Sequence, residues 1–404
     1  MNPSLIQYLA LILFGLSILH TFSVQYFRHL KFLSEIELIF CFWAAILLLC
    51  LAGLEGYHPV ITYLESRSFA EPIFVFAILA ICSTKPILEY AELSITYIAK
   101  LLPLHRSIAF YICIITLGPL LGSFITEPAA MTVTALILLK YFYQQNISEK
   151  FKYTTLGLLF VNVSIGGALT AYAAPPVLMV AKTWGWSSLE LCTLFGWKGA
   201  LACLISSLIV TWKHRQELLK INIQPKLQTQ KTPFWLTLIY LFFLTVTINY
   251  SHNYLLIFWL LIFLAIFSNI VHVKLKFKES FFVFFFLVGL VIIGGLQDWW
   301  LQIIVNRLSN LSLFLGAIGL TAFIDNAALT YLGSLVPSLP DASKYALLSG
   351  AIVGGGMTVI ANAPNLAGYA ILQSAFQERT IRPLGLLKSS LLPTLIAALC
   401  FWFL

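Results

Sequence analysis

Long apolar runs separated by short polar segments occur along the whole chain. An apolar run of roughly 17–25 residues predicts a helix that spans a membrane. The pattern predicts single spans at eight windows: 5–23, 36–54, 70–84, 189–211, 234–250, 254–271, 280–296 and 385–403. The chain is therefore predicted to be an all-α polytopic membrane protein.

Two longer apolar windows, 153–182 and 344–376, are interrupted by glycine and proline. As one helix, 153–182 would extend about 45 Å, against a hydrocarbon core of about 30 Å. Both residue types are poor helix formers, so each window is predicted to be a discontinuous helix whose unwound backbone lines a cavity. The residues expected to form these breaks are Gly166, Gly167, Pro175, Gly355, Gly356 and Pro364.

Two further apolar windows have an acid near the middle. Window 106–142 contains Glu127, and window 308–336 contains Asp325. Each window could form one overlong span, or a re-entrant hairpin with the acid at its tip. The positions of the positive charges distinguish these two topologies.

Cytoplasmic loops of membrane proteins carry an excess of Lys and Arg. If both acid-centred windows are hairpins, 19 of the 24 Lys and Arg residues fall on one side, in segments 28–32, 85–106, 140–152, 213–231, 274–278 and 379–388. If both are plain spans, the split is 10 against 13 and there is no bias. The charge pattern predicts about ten transmembrane helices plus two hairpins, with both termini outside. The hairpins then enter from opposite sides, as an inverted repeat requires.

The two halves also share a short repeated pattern. Each contains an acid followed by Ala-Ala and Thr, and then a helix interrupted between a Gly-Gly and an Ala-Pro pair. The matching positions are 127–132 with 325–330, Gly166-Gly167 with Gly355-Gly356, and Ala174-Pro175 with Ala363-Pro364. We therefore predict a first half (1–211), a basic cytoplasmic linker (212–233) and a second half (234–404).

Glu127 and Asp325 are the leading candidates for ion or proton binding. A carboxylate inside a membrane costs about 2.5–3.5 kcal/mol or more, and it usually marks an ion or proton pathway. The alternative is helix capping, since Asp325 precedes Asn326, and Glu127 precedes Pro128, a residue typical of a first helical turn.

Amide and hydroxyl groups near the two acids extend the candidate site. Asn326, Asn362 and Asn365 occur only in the second half, which is therefore predicted to supply more of the ligands, together with Thr358. Lys198 lies deep in a predicted helix and is a candidate counter-charge for one of the acids. Its alternatives are a snorkelling side chain or a position in a wet crevice.

Composition excludes several classes of protein. The chain is 60 % hydrophobic and 10 % charged, whereas soluble domains carry about 25 % charged residues. This excludes a cytosolic enzyme and a nucleic-acid binder, and the net charge of +8 fits cytoplasmic loops instead. The seven cysteines have no metal-ligand spacing. We expect no transition metal and no cofactor, and only the lipid bilayer and small inorganic ions as partners.

The second-half motifs TAFIDNAALT (321–330) and GGGMTVIANAPNLAGYA (354–370) resemble the ion transporter superfamily, which includes arsenite pumps, NhaD-type antiporters and dicarboxylate transporters. With FITEPAAMT (124–132), the resemblance is closest to the family described as "putative sodium/proton antiporter". It implies an elevator-type or rocking carrier, often a homodimer. Glu127 and Asp325-Asn326 would be tip residues, and Thr358 to Asn365 an unwound loop. The dicarboxylate branch has neutral tips, so acidic tips disfavour an anionic substrate.

The sequence therefore favours a secondary transporter that exchanges a monovalent cation, Na⁺ first, for H⁺. An anion or metalloid carrier of the same superfamily, for arsenite or a carboxylate, is the alternative, because half-helix N-termini favour anions. The chain has no ATP-binding G-x-x-x-x-G-K-[ST] motif and no motif of an intramembrane enzyme, so we expect no enzymatic activity. The expected location is the inner membrane of a bacterium.

Overall fold

A computed structural model describes residues 4–23, 36–223, 232–251, 253–337 and 339–404. All regular secondary structure in these residues is helical. In chain order the α-helices are α1 (Leu5–Ser23), α2 (Ile36–Glu55), α3 (Tyr57–Glu65), α4 (Ala70–Cys82), α5 (Lys85–Leu101), α6 (Arg106–Ile125), α7 (Glu127–Leu138), α8 (Glu149–Gly166), α9 (Pro175–Trp184), α10 (Ser188–Leu191), α11 (Trp197–Lys213) and α12 (Arg215–Lys220). They continue with α13 (Phe234–Asn249), α14 (Tyr254–Ile270), α15 (Phe277–Gly294), α16 (Asp298–Val305), α17 (Asn310–Thr321), α18 (Asn326–Ser334), α19 (Asp341–Gly354), α20 (Pro364–Leu372) and α21 (Pro383–Phe403).

The predicted helical membrane class agrees with this architecture. Within the described residues, five helices are long and apolar enough to cross a membrane, or six if α4 and α5, bent by 66°, form one span. Several other apolar helices, among them α13, α14 and α17, are shorter than 18 residues. The count of ten spans stays a prediction.

Both interrupted windows form broken helices. α8 ends at Gly166 and α9 begins at Pro175, while α19 ends at Gly354 and α20 begins at Pro364. We call residues 167–174 the first unwound segment and 355–363 the second unwound segment. Close packing explains why glycine stands at these helix ends: a Cβ on Gly166 would lie 2.9 Å from the backbone of Pro119, and one on Gly354 would lie 2.6 Å from the carbonyl oxygen of Ile318.

Each acid-centred window folds as two helices joined at the acid. α6 and α7 pack side by side in opposite directions, because Gly122 faces Ala130 and Gly118 faces Thr134. The turn is at Thr126, whose φ of 78° is rare for a β-branched residue. In the second half α17 ends at Thr321, and α18 begins directly after Asp325. Whether these hairpins are re-entrant in the bilayer stays a prediction.

Contacts bring three of the six basic segments, 85–106, 140–152 and 213–231, to one face of the molecule. Lys140 lies 3.7 Å from Glu92 of α5, and the backbone N–H of Ser148 donates a hydrogen bond of 2.9 Å to Glu217. Lys152 donates one of 2.8 Å to the carbonyl of Ala375. A plain span over 106–142 would separate segments 85–106 and 140–152 by the membrane thickness. The contact between Lys140 and Glu92 therefore favours the hairpin topology. Segment 28–32 lies outside the described residues.

Part of the predicted linker is folded onto the first half. α11 continues to Lys213, and α12 follows with Leu218 fully buried. Ser107 of α6 donates a hydrogen bond of 2.6 Å to the carbonyl of Leu218. The basic linker predicted over 212–233 thus contains a docked helix that its charge pattern does not indicate, because the high charge conceals a single buried leucine. Residues 224–231 lie outside the described part of the chain.

The helices pack into two groups. We call α1, α2, α4, α13, α14 and α15 the outer group, and α6 to α9, α11 and α17 to α21 the core group. α5 packs against α6 of the core group and also contacts α13 of the outer group. Both hairpins and both broken helices belong to the core group, which therefore holds the candidate site.

Candidate ion-binding site

Glu127 is the first residue of α7 and is completely buried. Its side chain does not cap α7. Instead, Oε2 accepts a hydrogen bond of 2.9 Å from Nδ2 of Asn362, in the second unwound segment. Its other oxygen, Oε1, is buried and has no hydrogen-bond partner among the described residues. Glu127 therefore presents an unpartnered carboxylate oxygen in the protein interior.

Gly167 provides the space for this side chain. A Cβ at Gly167 would lie 2.5 Å from Oε1 and 2.6 Å from Cγ of Glu127, closer than real Cβ contacts. The φ of Gly167 is −76°, a value that any residue adopts, so space is the reason for glycine here. The first unwound segment thus packs its backbone directly against the carboxylate.

Asp325 has a different set of partners. Its Oδ1 accepts hydrogen bonds from the backbone N–H groups of Ala327 (2.8 Å) and Ala328 (3.3 Å), so Asp325 caps α18. Its Oδ2 accepts a hydrogen bond of 3.0 Å from the backbone N–H of Ala363. The capping alternative therefore holds for Asp325, which in addition connects the second hairpin to the second unwound segment.

The three candidate asparagines are buried, and each uses its side-chain nitrogen as a donor. Asn362 donates to Glu127, and Asn326 is within 3.5 Å of the hydroxyl of Ser164. Asn365 donates to the carbonyls of Gly355 (2.8 Å) and Thr358 (2.9 Å), which fixes the orientation of its amide. The side-chain oxygens of all three are buried and unpartnered among the described residues.

The backbone closes the site in the same way in both halves. The N–H of Glu127 donates a hydrogen bond of 3.3 Å to the carbonyl of Ala173 in the first unwound segment. The N–H of Asn326 donates one of 2.9 Å to the carbonyl of Ala361 in the second. The start of each second hairpin arm is therefore held by the unwound segment of its own half.

The buried side-chain atoms of this network that have no hydrogen-bond partner among the described residues are all oxygens. Unpartnered buried oxygens occur on one carboxylate, one hydroxyl and three amides of this network: Glu127, Thr126, Asn326, Asn362 and Asn365. A buried polar atom without a partner costs about 1–3 kcal/mol. Carboxylate, amide and carbonyl oxygens are the ligands that hard cations prefer. The residues present therefore fit a cation better than an anion.

The other predicted site residues have supporting positions. Thr358 donates a hydrogen bond of 2.9 Å from its hydroxyl to the carbonyl of Ala322, at the end of α17. Pro175 and Pro364 begin the second parts of the two broken helices. A Cβ on Gly355 would lie 2.2 Å from Oγ of Ser164 and 2.6 Å from Nδ2 of Asn326.

The structure does not bring Lys198 to either acid. Its Nζ donates a hydrogen bond of 2.8 Å to the hydroxyl of Tyr345, and it lies 4.6 Å from the centre of the Tyr345 ring. Among the described residues no carboxylate is within 4.0 Å of this ammonium group. The geometry therefore gives no support to Lys198 as a counter-charge.

Two serines of this network have no site role in the sequence analysis. Ser164 donates a hydrogen bond of 2.7 Å to the carbonyl of Ile352 and so connects the two broken helices. Ser123 donates one of 2.6 Å to the carbonyl of Gly166 and accepts one of 3.0 Å from the N–H of Leu169. In the internal repeat Ser123 aligns with Thr321, which also carries a hydroxyl group, so the repeat contained a signal for Ser123, whereas Ser164 aligns with Val353 and had none.

Broken helices that bring buried carboxylate and amide oxygens together inside an apolar helical bundle are typical of secondary transporters of ions. The family model described as "Putative Na+/H+ antiporter" matches residues 5–404, and the chain belongs to this family. The match confirms the family predicted from the tip and loop motifs, and it is a family of transporters and not of enzymes. A comparison with curated proteins gave no match.

Proposed function

We propose that the protein exchanges Na⁺ for H⁺ across a bacterial inner membrane by alternating access, with Glu127 as the group that binds either ion. The observation that carries the proposal is the buried, unpartnered Oε1 of Glu127 beside the amide of Asn362. A protonated Glu127 is neutral and tolerates burial. A deprotonated Glu127 needs a cation there, because a buried charge without a partner is costly.

The exchange then follows from competition for one carboxylate. Deprotonation of Glu127 on one side admits Na⁺, which the carboxylate and nearby amide oxygens would ligate. After Na⁺ leaves on the other side, a proton returns to Glu127. Asp325 caps α18 through two backbone N–H groups and accepts a third from Ala363 of the second unwound segment, so it would keep the ligands in place and add negative charge.

Two features support alternating access. A cavity of about 460 Å³ lies between the outer and core groups, and Ala171 and Tyr172 of the first unwound segment line it together with Glu71. Asp325 and Asn362 border a smaller cavity, of about 30 Å³, beside Phe40 and Phe286 of the outer group. Movement of the core group against the outer group would expose this side of the site. We further propose that both termini are outside, that the protein forms a homodimer and that it needs no cofactor.

The alternative substrate class is an anion or metalloid such as arsenite or a carboxylate. α9 and α20 begin next to the site, and helix N-termini favour anions. However, Lys198, the candidate counter-charge, is directed to Tyr345, and both hairpin tips carry carboxylates. The proposal therefore places Na⁺ first.

The test uses proteoliposomes with an imposed pH gradient and a pH-sensitive dye inside. Na⁺, Li⁺, K⁺, arsenite and succinate are added in turn to the wild type, to Glu127→Gln and to Glu65→Gln, an exposed control. We expect Na⁺ or Li⁺ to collapse the gradient with the wild type and the control but not with Glu127→Gln. If only arsenite or succinate collapsed the pH gradient, the protein would be an anion or metalloid carrier and the proposal of Na⁺/H⁺ exchange would be wrong.

A further inference from the structure

A cavity of about 860 Å³ lies between the two helix groups and away from the candidate ion site. It is on the face that carries the basic segments. Its lining includes α5, the second half of α7 and the connection from α14 to α15. Neither Glu127 nor Asp325 lines it, so it needs a separate explanation.

Positive charge dominates the lining. Five lysines and three glutamates contribute to it: Lys85, Lys140, Lys274, Lys276, Lys278, Glu89, Glu92 and Glu279. Lys85 is paired with Glu89 at 3.4 Å, and Lys140 with Glu92 at 3.7 Å. Among the described residues no carboxylate lies within 4.0 Å of the other three lysines. The cavity therefore holds uncompensated positive charge, which does not suit an entrance for cations.

Lys274 and Lys276 lie on the connection from α14 to α15, and Lys278 lies in the first turn of α15, with its Nζ 5.4 Å from the centre of the Phe282 ring. Lys274, Lys276 and Lys278 are exposed, whereas the residues between them are partly buried, and Val273 and Leu275 pack against the hydrophobic core. This alternation holds the three ammonium groups on the solvent side of one segment. Because α14 ends at Ile270 and α15 begins at Phe277, the connection joins two apolar helices at their polar ends.

The inner walls of the cavity are apolar. Leu88, Val133, Leu136, Ile137 and Leu236 contribute to them, and Leu136 of α7 is 48 % exposed. An occupant must therefore combine a negatively charged group, which would meet the lysines, with an apolar part. Basic pockets between helices at a membrane surface bind lipid phosphates in this way.

We propose that this cavity binds the phosphate headgroup of an anionic phospholipid, with Lys274, Lys276 and Lys278 around the phosphate and the start of the acyl chains against α7. The site lies between the outer and core groups, so a bound lipid would contact both. The inference concerns binding alone and does not depend on which ion the protein transports.

The test measures lipid binding to the full chain in a neutral detergent. Dioleoyl phosphatidylglycerol and dioleoyl phosphatidylcholine are supplied at equal concentration, and native mass spectrometry counts the bound molecules. The variant carries K274Q, K276Q and K278Q together. The control carries K213Q, K220Q and K388Q, which removes the same charge from exposed lysines outside the cavity lining.

We expect the wild type and the control to prefer phosphatidylglycerol by about tenfold or more, and the cavity variant to lose that preference. The proposal would be overturned if the two triple variants kept the same preference for phosphatidylglycerol, or if both lost it to the same extent. Soluble glycerol 3-phosphate tests for a free phosphate site: displacement of the lipid by low concentrations of it would also overturn the proposal. The melting temperature of the wild type provides a test that needs no variant. We expect it to rise when phosphatidylglycerol is added but not when phosphatidylcholine is added.

Discussion

The side-chain amide of Asn362 donates a hydrogen bond of 2.9 Å to Oε2 of Glu127, although 235 residues separate the two in the chain. Both side chains are buried, with 0 % of Glu127 and 1 % of Asn362 exposed. The contact joins the tip of the first hairpin to the unwound segment of the second half. The candidate site is therefore built from residues of both halves.

Asn362→Ala should weaken Na⁺ binding without removing the acid. Loss of the amide leaves Glu127 without its one described side-chain donor, which is expected to cost about 1–3 kcal/mol. We expect the half-saturating Na⁺ concentration in the proteoliposome assay to rise roughly tenfold or more. Asn269→Ala, at an exposed position near the end of α14, is the matched control. Unchanged Na⁺ dependence in Asn362→Ala would show that the contact is not part of the ion site.

Gly167→Ala should displace the Glu127 side chain, because the new methyl group would lie 2.5 Å from Oε1. Overpacking of this kind costs about 1–3 kcal/mol. We expect Na⁺-driven proton release to fall at least tenfold, with a lower melting temperature. Gly319→Ala, where an added Cβ meets nothing within 4 Å, should behave as the wild type. Full activity in Gly167→Ala would contradict the described position of the carboxylate.

Substitutions of Asp325 should separate its capping role from its charge. Asp325→Ala removes the cap of α18 and is expected to lower stability by about 0.5–2 kcal/mol. Asp325→Asn keeps an acceptor for Ala327 and Ala328, so its loss of stability should be smaller, while its Na⁺ affinity still falls because the negative charge is lost. Melting temperature and half-saturating Na⁺ are measured for both, with exposed Asp298→Asn as the control. If Asp325→Asn transports as the wild type does, Asp325 is only a cap.

The docking of α12 should depend on pH through Glu217. Burial alone would raise the pKa of Glu217, but hydrogen bonds from Ser148 and His214 outweigh burial and lower it. A lowered pKa stabilises the folded state above the ordinary pKa of glutamate, and this contribution is lost as pH falls through the lowered value. Glu217→Gln should therefore reduce stability at pH 7 by less than about 1 kcal/mol, and this loss should shrink as pH falls through the lowered pKa of Glu217. Exposed Glu65→Gln is the control, and a pH-independent loss would rule out the charge as the cause.

The sequence predicts the broad architecture because that depends on local chemistry. The length of the apolar runs locates the ends of α1 and α21 to within two residues. The Gly-Gly pair locates the last residue of α8, and proline locates the first residues of α9 and α20. The acids and amides were found because such groups are rare in apolar windows. The position of Ser164 in the site and the partner of Lys198 were not predicted, because they depend on which helices meet in space. The positive φ of Thr126 likewise depends on tertiary packing, which no local pattern encodes.

The most direct measurement is Na⁺ binding to purified protein by titration calorimetry at pH 8, in two buffers with different ionisation enthalpies. The account predicts that Na⁺ binding releases a proton in the wild type, so that the apparent enthalpy differs between the buffers. Glu127→Gln should show neither the proton release nor tight Na⁺ binding, while exposed Glu65→Gln should match the wild type. Na⁺ binding with no proton release, or with the same release in Glu127→Gln, would contradict the claim that Na⁺ and H⁺ compete for Glu127.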